Sequence, residues 1–217
     1  MSMKLTVIWA LALSLLCSCH NGNAKQTTEV NENQKETNME TKDEKVLVAY
    51  FSRADENYNV GNITKGNTEI IAEMIAEQTG GELFHIERTT PYPKAYNPCI
   101  EEAQQELRSK ARPAIKGDVQ VEDFDVIFLG YPNWWGDVPM AVYTFIEKHS
   151  WQGKTVIPFC THEGSGLGMT VRKLKGACEG ATFADGLAIQ GAKAQNSRAA
   201  AKKSVEGWLG NLGFRKG

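Results

Sequence analysis

The 217-residue chain is without several features on which whole functional classes depend. It has no block of Lys and Arg, and its net charge is −2, so it carries no electrostatic footprint for nucleic acid. Its five cysteines form no C-x-x-C pair and share no zinc-type spacing with its four histidines, which argues against a metal centre. No apolar run reaches the ~20 residues of a comfortable transmembrane helix. No internal repeat is visible. Ser165 sits in "EGSGL", without the G-x-S-x-G frame of a hydrolase nucleophile.

What is present falls into three parts. Residues 1–19 hold one basic residue, Lys4, and then "LTVIWALALSLLCSC", a length and pattern that fit a secretory signal. Leu16-Cys17-Ser18-Cys19 resembles a bacterial lipobox, with Cys19 fitting better than Cys17. This implies a signal peptide over 1–18 and lipidation at Cys19; a simple signal peptide or an uncleaved anchor is the alternative. Residues 19–45 are the lipidated cysteine and a polar stretch too poor in apolar surface to offset its ordering entropy, read as a flexible tether. The folded domain is then 46–217, with 19 basic and 20 acidic residues. Its cysteines are Cys99, Cys160 and Cys178. The helix after Cys160 carries the chain away from it, so all three are expected as free thiols.

Within the domain, apolar runs alternate with helical periods five times. Strands are expected over 45–51, 82–87, 125–130, 154–160 and 182–189, with Pro158 a mild objection to a central position for the fourth. Helices are expected over 68–78, 98–112 (capped by Asn97), 138–149, 168–176 and 197–212. Strict βαβα alternation predicts a parallel sheet covered by helices on both faces. Ligands of such sheets bind outside the carboxyl ends of the strands.

Three loops lie at that edge. After the first strand come Ser52, a long polar segment, and Gly66-Asn67-Thr68 at a helix start. Exposed N–H groups and the helix dipole make that an anion site, or Asn67 or Thr68 is only a cap. No Walker lysine follows, which disfavours a nucleoside triphosphate. After the third strand comes "GYPNWWGDVP", with Pro132, Asn133, Trp134, Trp135 and Gly136. Adjacent residues of an extended loop point to opposite sides. One indole is therefore expected to pack under the next helix and the other, Trp135, to face a ligand. After the fourth strand comes "THEGSGLG", with Thr161, His162, Glu163, Gly164, Ser165 and Gly166. Its small residues suit backbone hydrogen bonds to the edge of a heterocycle. For His162, a solvent-facing loop residue is the plainer reading than a catalytic one.

The motifs "VAYFS…GNT", "GYPNWWGDVP" and "PFCTHEGSGLG", in this order, resemble a short-chain flavodoxin-like protein that binds FMN. The resemblance covers essentially all of the folded unit. It implies a doubly wound five-stranded parallel sheet of order 2-1-3-4-5. It also implies that Ser52, Gly66, Asn67 and Thr68 cradle the FMN phosphate, that Trp134 or Trp135 stacks on the isoalloxazine, and that Thr161 through Gly166 line its pyrimidine edge and ribityl side. The chain departs from a compact flavodoxin in its expanded phosphate loop (residues 53–65), its near-neutral domain and its lipoprotein signal.

The function expected is electron transfer through flavin N5, with no catalytic side chain required, in a protein lipid-anchored to the bacterial cell envelope. Two subtypes stay open: a shuttle serving a redox partner protein, and an FMN-dependent NAD(P)H:quinone-type reductase with a small quinone-like acceptor. Near neutrality favours small-molecule partners, whereas scarce nicotinamide outside the cytoplasm favours the shuttle. A rival of another class is a non-redox ligand-binding lipoprotein using the same pocket. Membrane contact is expected only through the lipid.

Overall fold

The computed structural model describes residues 44–214; the expected signal peptide, the expected lipidation site Cys19 and nearly all of the expected tether lie outside the described residues. In chain order the elements are β1 (Val46–Tyr50), a hairpin of β2 (Asp55–Asn57) and β3 (Gly61–Ile63), α1 (Asn67–Thr79), β4 (Glu82–His85), α2 (Tyr96–Ser109) and β5 (Val126–Pro132). They continue with α3 (Met140–Ile146), β6 (Thr155–His162), α4 (Thr170–Ala177), β7 (Thr182–Phe183), β8 (Leu187–Gln190), α5 (Gly191–Asn196) and α6 (Arg198–Asn211). The main sheet runs β4-β1-β5-β6-β7, with β8 also on β6, and every pairing is parallel.

β1 and β5 are buried along almost their whole length because helices cover both faces. Alternation divides their side chains between two layers. Leu47, Ala49, Ile127 and Leu129 pack with Ala103 of α2, Phe145 of α3 and Leu174 of α4. Val48, Tyr50 and Phe128 pack with Ile71 of α1, Ala194 of α5 and Trp208 of α6. This is the doubly wound fold, in the expected 2-1-3-4-5 order.

Four local expectations are corrected. The fifth strand is two pieces, β7 pairing Thr155 and Val156 and β8 pairing residues from Phe159 onward. The gap falls beside Pro158. Val156 accepts the Ala184 N–H across this edge, so two residues on the proline ring stands where a ladder donor would be. The chain detours there through Gly186, against the Pro158 carbonyl. Asn97 is not the cap of α2, which begins at Tyr96 after Ala95. The Tyr96 N–H is instead accepted by Glu56 Oε2 at 2.7 Å, forty residues earlier. The third helix is shorter than expected, and α5 was missing from the sequence reading. Cys99, Cys160 and Cys178 are buried free thiols. Among the described residues no helix is long and apolar enough to cross a membrane.

Candidate functional site

The carboxyl ends of β1, β5 and β6 surround a cleft of about 250 Å³. The first loop brings the start of α1 to it. Gly66 is the N-cap and has no side chain to offer the helix. Ser52 Oγ supplies the missing acceptor, taking the Glu69 N–H at 3.1 Å. Any side chain at Gly66 would collide with that hydroxyl, 2.0 Å from the Cβ position. Asn67 lines the cleft. Its Oδ1 is held at 2.8 Å by Gln195 of α5, which also donates to the Lys65 carbonyl. Thr68 is buried, with its hydroxyl 2.8 Å from that of Thr161. The N–H groups of this helix start that have no intrahelical acceptor are a place where an anion could be held.

The second loop is a tight corner. Trp134 and Asp137 exchange both backbone hydrogen bonds. Between them Trp135 and Gly136 take φ of 53° and 73°, the pattern of a type I′ turn. The left-handed region costs a side-chain-bearing residue ~1–2 kcal/mol, and a bulky residue there is an outlier. Trp134 packs edge-on to Phe51 and Tyr92. Trp135 is 46% exposed on the rim of the cleft. Asp137 is buried and fully used, accepting from Val138 N–H, Tyr143 hydroxyl and Lys173 Nζ. The corner is thus pinned to α3 and α4, and the strained Trp135 is what it presents to solvent.

Asn133 ties the second loop to the third. Its Nδ2 donates to the Gly166 carbonyl at 2.7 Å, its Oδ1 accepts the Gly136 N–H at 3.0 Å, and its own N–H bonds the Thr161 carbonyl. Burial pushes the Cys160 thiol up to about 12, so it stays protonated and donates to the same Gly166 carbonyl. His162 accepts the Gly164 N–H on Nδ1 at 2.9 Å. Burial holds the His162 pKa below the ordinary histidine value, against the opposing pull of Glu163. The ring is therefore neutral, with its proton on Nε2.

Among the expected site residues, Asn67, Pro132, Asn133, Trp134 and Trp135 meet in the cleft with Thr161, His162 and Glu163. Ser52 lines a neighbouring cleft of about 240 Å³ instead. Gly66, Thr68, Gly136, Gly164, Ser165 and Gly166 lie behind or beside the lining, shaping the loops from which the others project. Sequence reasoning missed the opposite wall. It consists of Arg53, Asn57 and Tyr58 from the hairpin, and Tyr96, Cys99, Ile100 and Ala103 from α2. The one available signal was the long polar connection itself, with a tyrosine at its centre. Arg53 is the one Arg or Lys of the lining, and its guanidinium is committed to the carbonyls of Glu56, Pro93 and Lys94.

A flat ring has an exposed indole to lie on, and a single anionic group has a helix start. Fold and cleft together define a doubly wound α/β protein with a mononucleotide-sized site at the carboxyl edge of its sheet. The chain belongs to the flavodoxin family, whose model, described as flavodoxin, matches residues 45–209. Among solved structures it is similar to a Bacteroides eggerthii protein provisionally named a flavoprotein. Identity is 32%, with a TM-score of 0.63 and coverage of 79% of this chain and 99% of that one. A Bacteroides uniformis protein, also provisionally named a flavoprotein, is 28% identical, with a TM-score of 0.60 over 77% of this chain and 98% of that one. A Lactobacillus acidophilus flavoprotein in complex with FMN is 18% identical, with a TM-score of 0.54 over 67% of this chain and 93% of that one; at that distance the likeness is one of fold. No curated protein matches the chain.

Proposed function

We propose that this protein binds FMN in the cleft and works as an electron carrier for a redox partner protein. The observation that carries the reading is Trp135, exposed and in a left-handed conformation on the rim of a cleft whose other end is the start of α1. Strain of that kind persists only where the surrounding structure over-determines it, and it clusters at active sites and ligand clamps. Trp135 would stack on the isoalloxazine, and the N–H groups at Asn67 and Thr68 would take the phosphate. Backbone and side-chain groups of Thr161 and His162 would meet the edge of the ring. The Lactobacillus acidophilus flavoprotein of the same fold is itself a complex with FMN, in line with this assignment.

FMN supplies the electron and proton chemistry when bound, and the chain positions it. Asn133 holds the two loops on either side at a fixed spacing. Neutral His162 offers a donor without adding charge. Scarce nicotinamide outside the cytoplasm favours the shuttle over the reductase. The N-terminal signal supports a location in the cell envelope, with the domain held to the membrane by lipid on Cys19. The reading is tested on protein expressed from residue 46 and purified without added flavin. The expected result is a yellow protein that releases FMN on unfolding, accepts electrons from a chemical reductant, passes them to cytochrome c, and does not oxidise NADH or NADPH. A colourless protein that takes up no flavin would overturn it, and rapid NAD(P)H oxidation would replace the shuttle with the reductase. Labelling of the full chain with radioactive palmitate, lost in Cys19→Ala, tests the anchor.

A further inference from the structure

The hairpin in the β1–α1 connection contributes nothing to the core: none of its six strand residues is buried. It is nevertheless fastened on two sides. At its base the Arg53 guanidinium gathers the carbonyls of Glu56, Pro93 and Lys94 at 2.7–3.0 Å. Glu56 then bonds Lys94 through its N–H and Tyr96 through its carboxylate. At its tip Asn59 Nδ2 donates to Glu163 Oε2 at 2.9 Å. Glu163 Oε1 is itself held by the Ala192 N–H at the start of α5. The hairpin therefore reaches from α2, on one side of the cleft, to the loop after β6 on the other.

Between the fastenings sits Tyr58. It is 63% exposed, lines the cleft, and has Tyr96 as its ring neighbour, 6.0 Å away and tilted by 34°. Four large hydrophobic residues are exposed among the described residues: Tyr58, Leu83, Trp135 and Met169. Two of the four line this one cleft, and they come from different loops. The loop after β6 holds no Phe, Tyr or Trp between Thr161 and Met169. The other Tyr and Trp rings of the lining are half-buried, Trp134 edge-on to Phe51 and Tyr92 and Tyr96 beside Tyr58, so Tyr58 is the exposed ring besides Trp135 that a flat ligand could meet.

We infer that Tyr58 is a second aromatic wall of the cofactor site, carried on a strap that the Asn59–Glu163 contact holds across the cleft. This rests on the flavin reading. Tyr58 acts on the ring system of the ligand and not on its phosphate, because the anion-binding end of the cleft is built from α1. Its hydroxyl plays no part in the stacking, so Phe substitutes for it. The Asn59 contact governs how readily the strap lifts, and hence how long the ligand stays.

The test is a fluorescence titration of the domain with FMN and with riboflavin, together with dissociation rates by stopped flow. Tyr58→Ala is expected to raise the Kd of both ligands by about tenfold, equivalent to ~1.4 kcal/mol. Tyr58→Phe should stay within about twofold of wild type, and Asn59→Ala should speed release several-fold. An unchanged urea midpoint in each variant checks that the fold is intact. Wild-type affinity in Tyr58→Ala, or a loss confined to FMN, overturns the wall. Should the wild-type chain bind no flavin, the flavin reading falls. Hydroxyl-radical footprinting of Tyr58 with menadione and with NADH then decides the wall alone: protection keeps it, and unchanged reactivity overturns it.

Discussion

The two sides of the cleft are held by opposite means. The corner at residues 133–137 is anchored from beneath. Trp134 packs on Phe51 and Tyr92, and buried Asp137 ties it to α3 and α4. The hairpin side, residues 53–65, has no apolar anchor and is held by polar fastenings to α2 and to the loop after β6. Packing against a core fixes a position once the core forms. Hydrogen bonds at a surface compete with water and net ~0.5–1.5 kcal/mol each, so they hold a segment that can still yield. A rigid side that presents a strained indole and a yielding side that closes over it together suit a cofactor that must enter and then stay.

The largest expected effect comes from the rigid side. Trp134→Ala removes a half-buried aromatic from the core and should cost ~2–4 kcal/mol of folding stability, somewhat under the ~3–5 kcal/mol of a fully buried ring. Trp135→Ala, one residue on, should change stability by less than ~1 kcal/mol, because nearly half of the side chain it removes is already in solvent and the indole is not part of the core cluster. Urea unfolding of the two variants side by side measures the contrast; equal losses would dissolve it. Next in size is Asn133→Ala. It leaves the Gly136 N–H and the Gly166 carbonyl without their bridge and should cost ~1–3 kcal/mol. Faster amide exchange is expected in both loops at once, and a change in only one of them would show that Asn133 does not couple them.

The same contrast explains what the sequence made legible. The parallel sheet and the loop with its two tryptophans could be read because their signals are local: alternating or helical apolar periods, and two tryptophans beside a glycine; the strand order came only from the resemblance to flavodoxin-like proteins. Trp135 was expected on the ligand side because it adjoins Gly136, and it is the more exposed of the two indoles and lines the cleft. The hairpin could not be read in this way. Its partners are Lys94 and Tyr96, about forty residues on, and Glu163, over a hundred residues on. Nothing in the residues around Asp55 or Gly61 announces them. The cap of α2 was misassigned to Asn97 for the same reason, since the acceptor that serves Tyr96 comes from the hairpin. Ser52 was expected at the phosphate through its hydroxyl; that oxygen also serves as the acceptor that Gly66 cannot provide, which leaves its own O–H as a donor.

On the yielding side the effects are smaller. Glu56→Ala removes the carboxylate at the start of α2 and should cost ~0.5–2 kcal/mol, as loss of a helix cap does. Its effect should be confined to the hairpin and the first turn of α2, as read by amide exchange at Tyr96. A loss spread across the sheet would mean that this side is part of the core after all. The smallest effect is that of His162. Its folded pKa lies below the ordinary value of ~6.5, so its contribution is complete above that value and is lost as pH falls through the lowered one. Protonation of Nδ1 removes the acceptor for Gly164 N–H. The ring is only partly buried, and screening keeps the effect to about 0.5 kcal/mol or less. His162→Ala should flatten this part of the pH profile of folding stability, and an unchanged profile would remove His162 from the account.

The central claim is that the strained indole is there to bear a flavin. Trp135→Gly isolates it, because glycine relieves the left-handed strain while removing the ring, and should gain ~1 kcal/mol in folding stability. A calorimetric titration of FMN into wild type and Trp135→Gly tests the claim directly. The account predicts stoichiometric binding to the wild type and binding at least about tenfold weaker to the more stable variant, from loss of the stacking contact and the area it buries. Equal affinity in the two proteins, or no binding to the wild type, would contradict it.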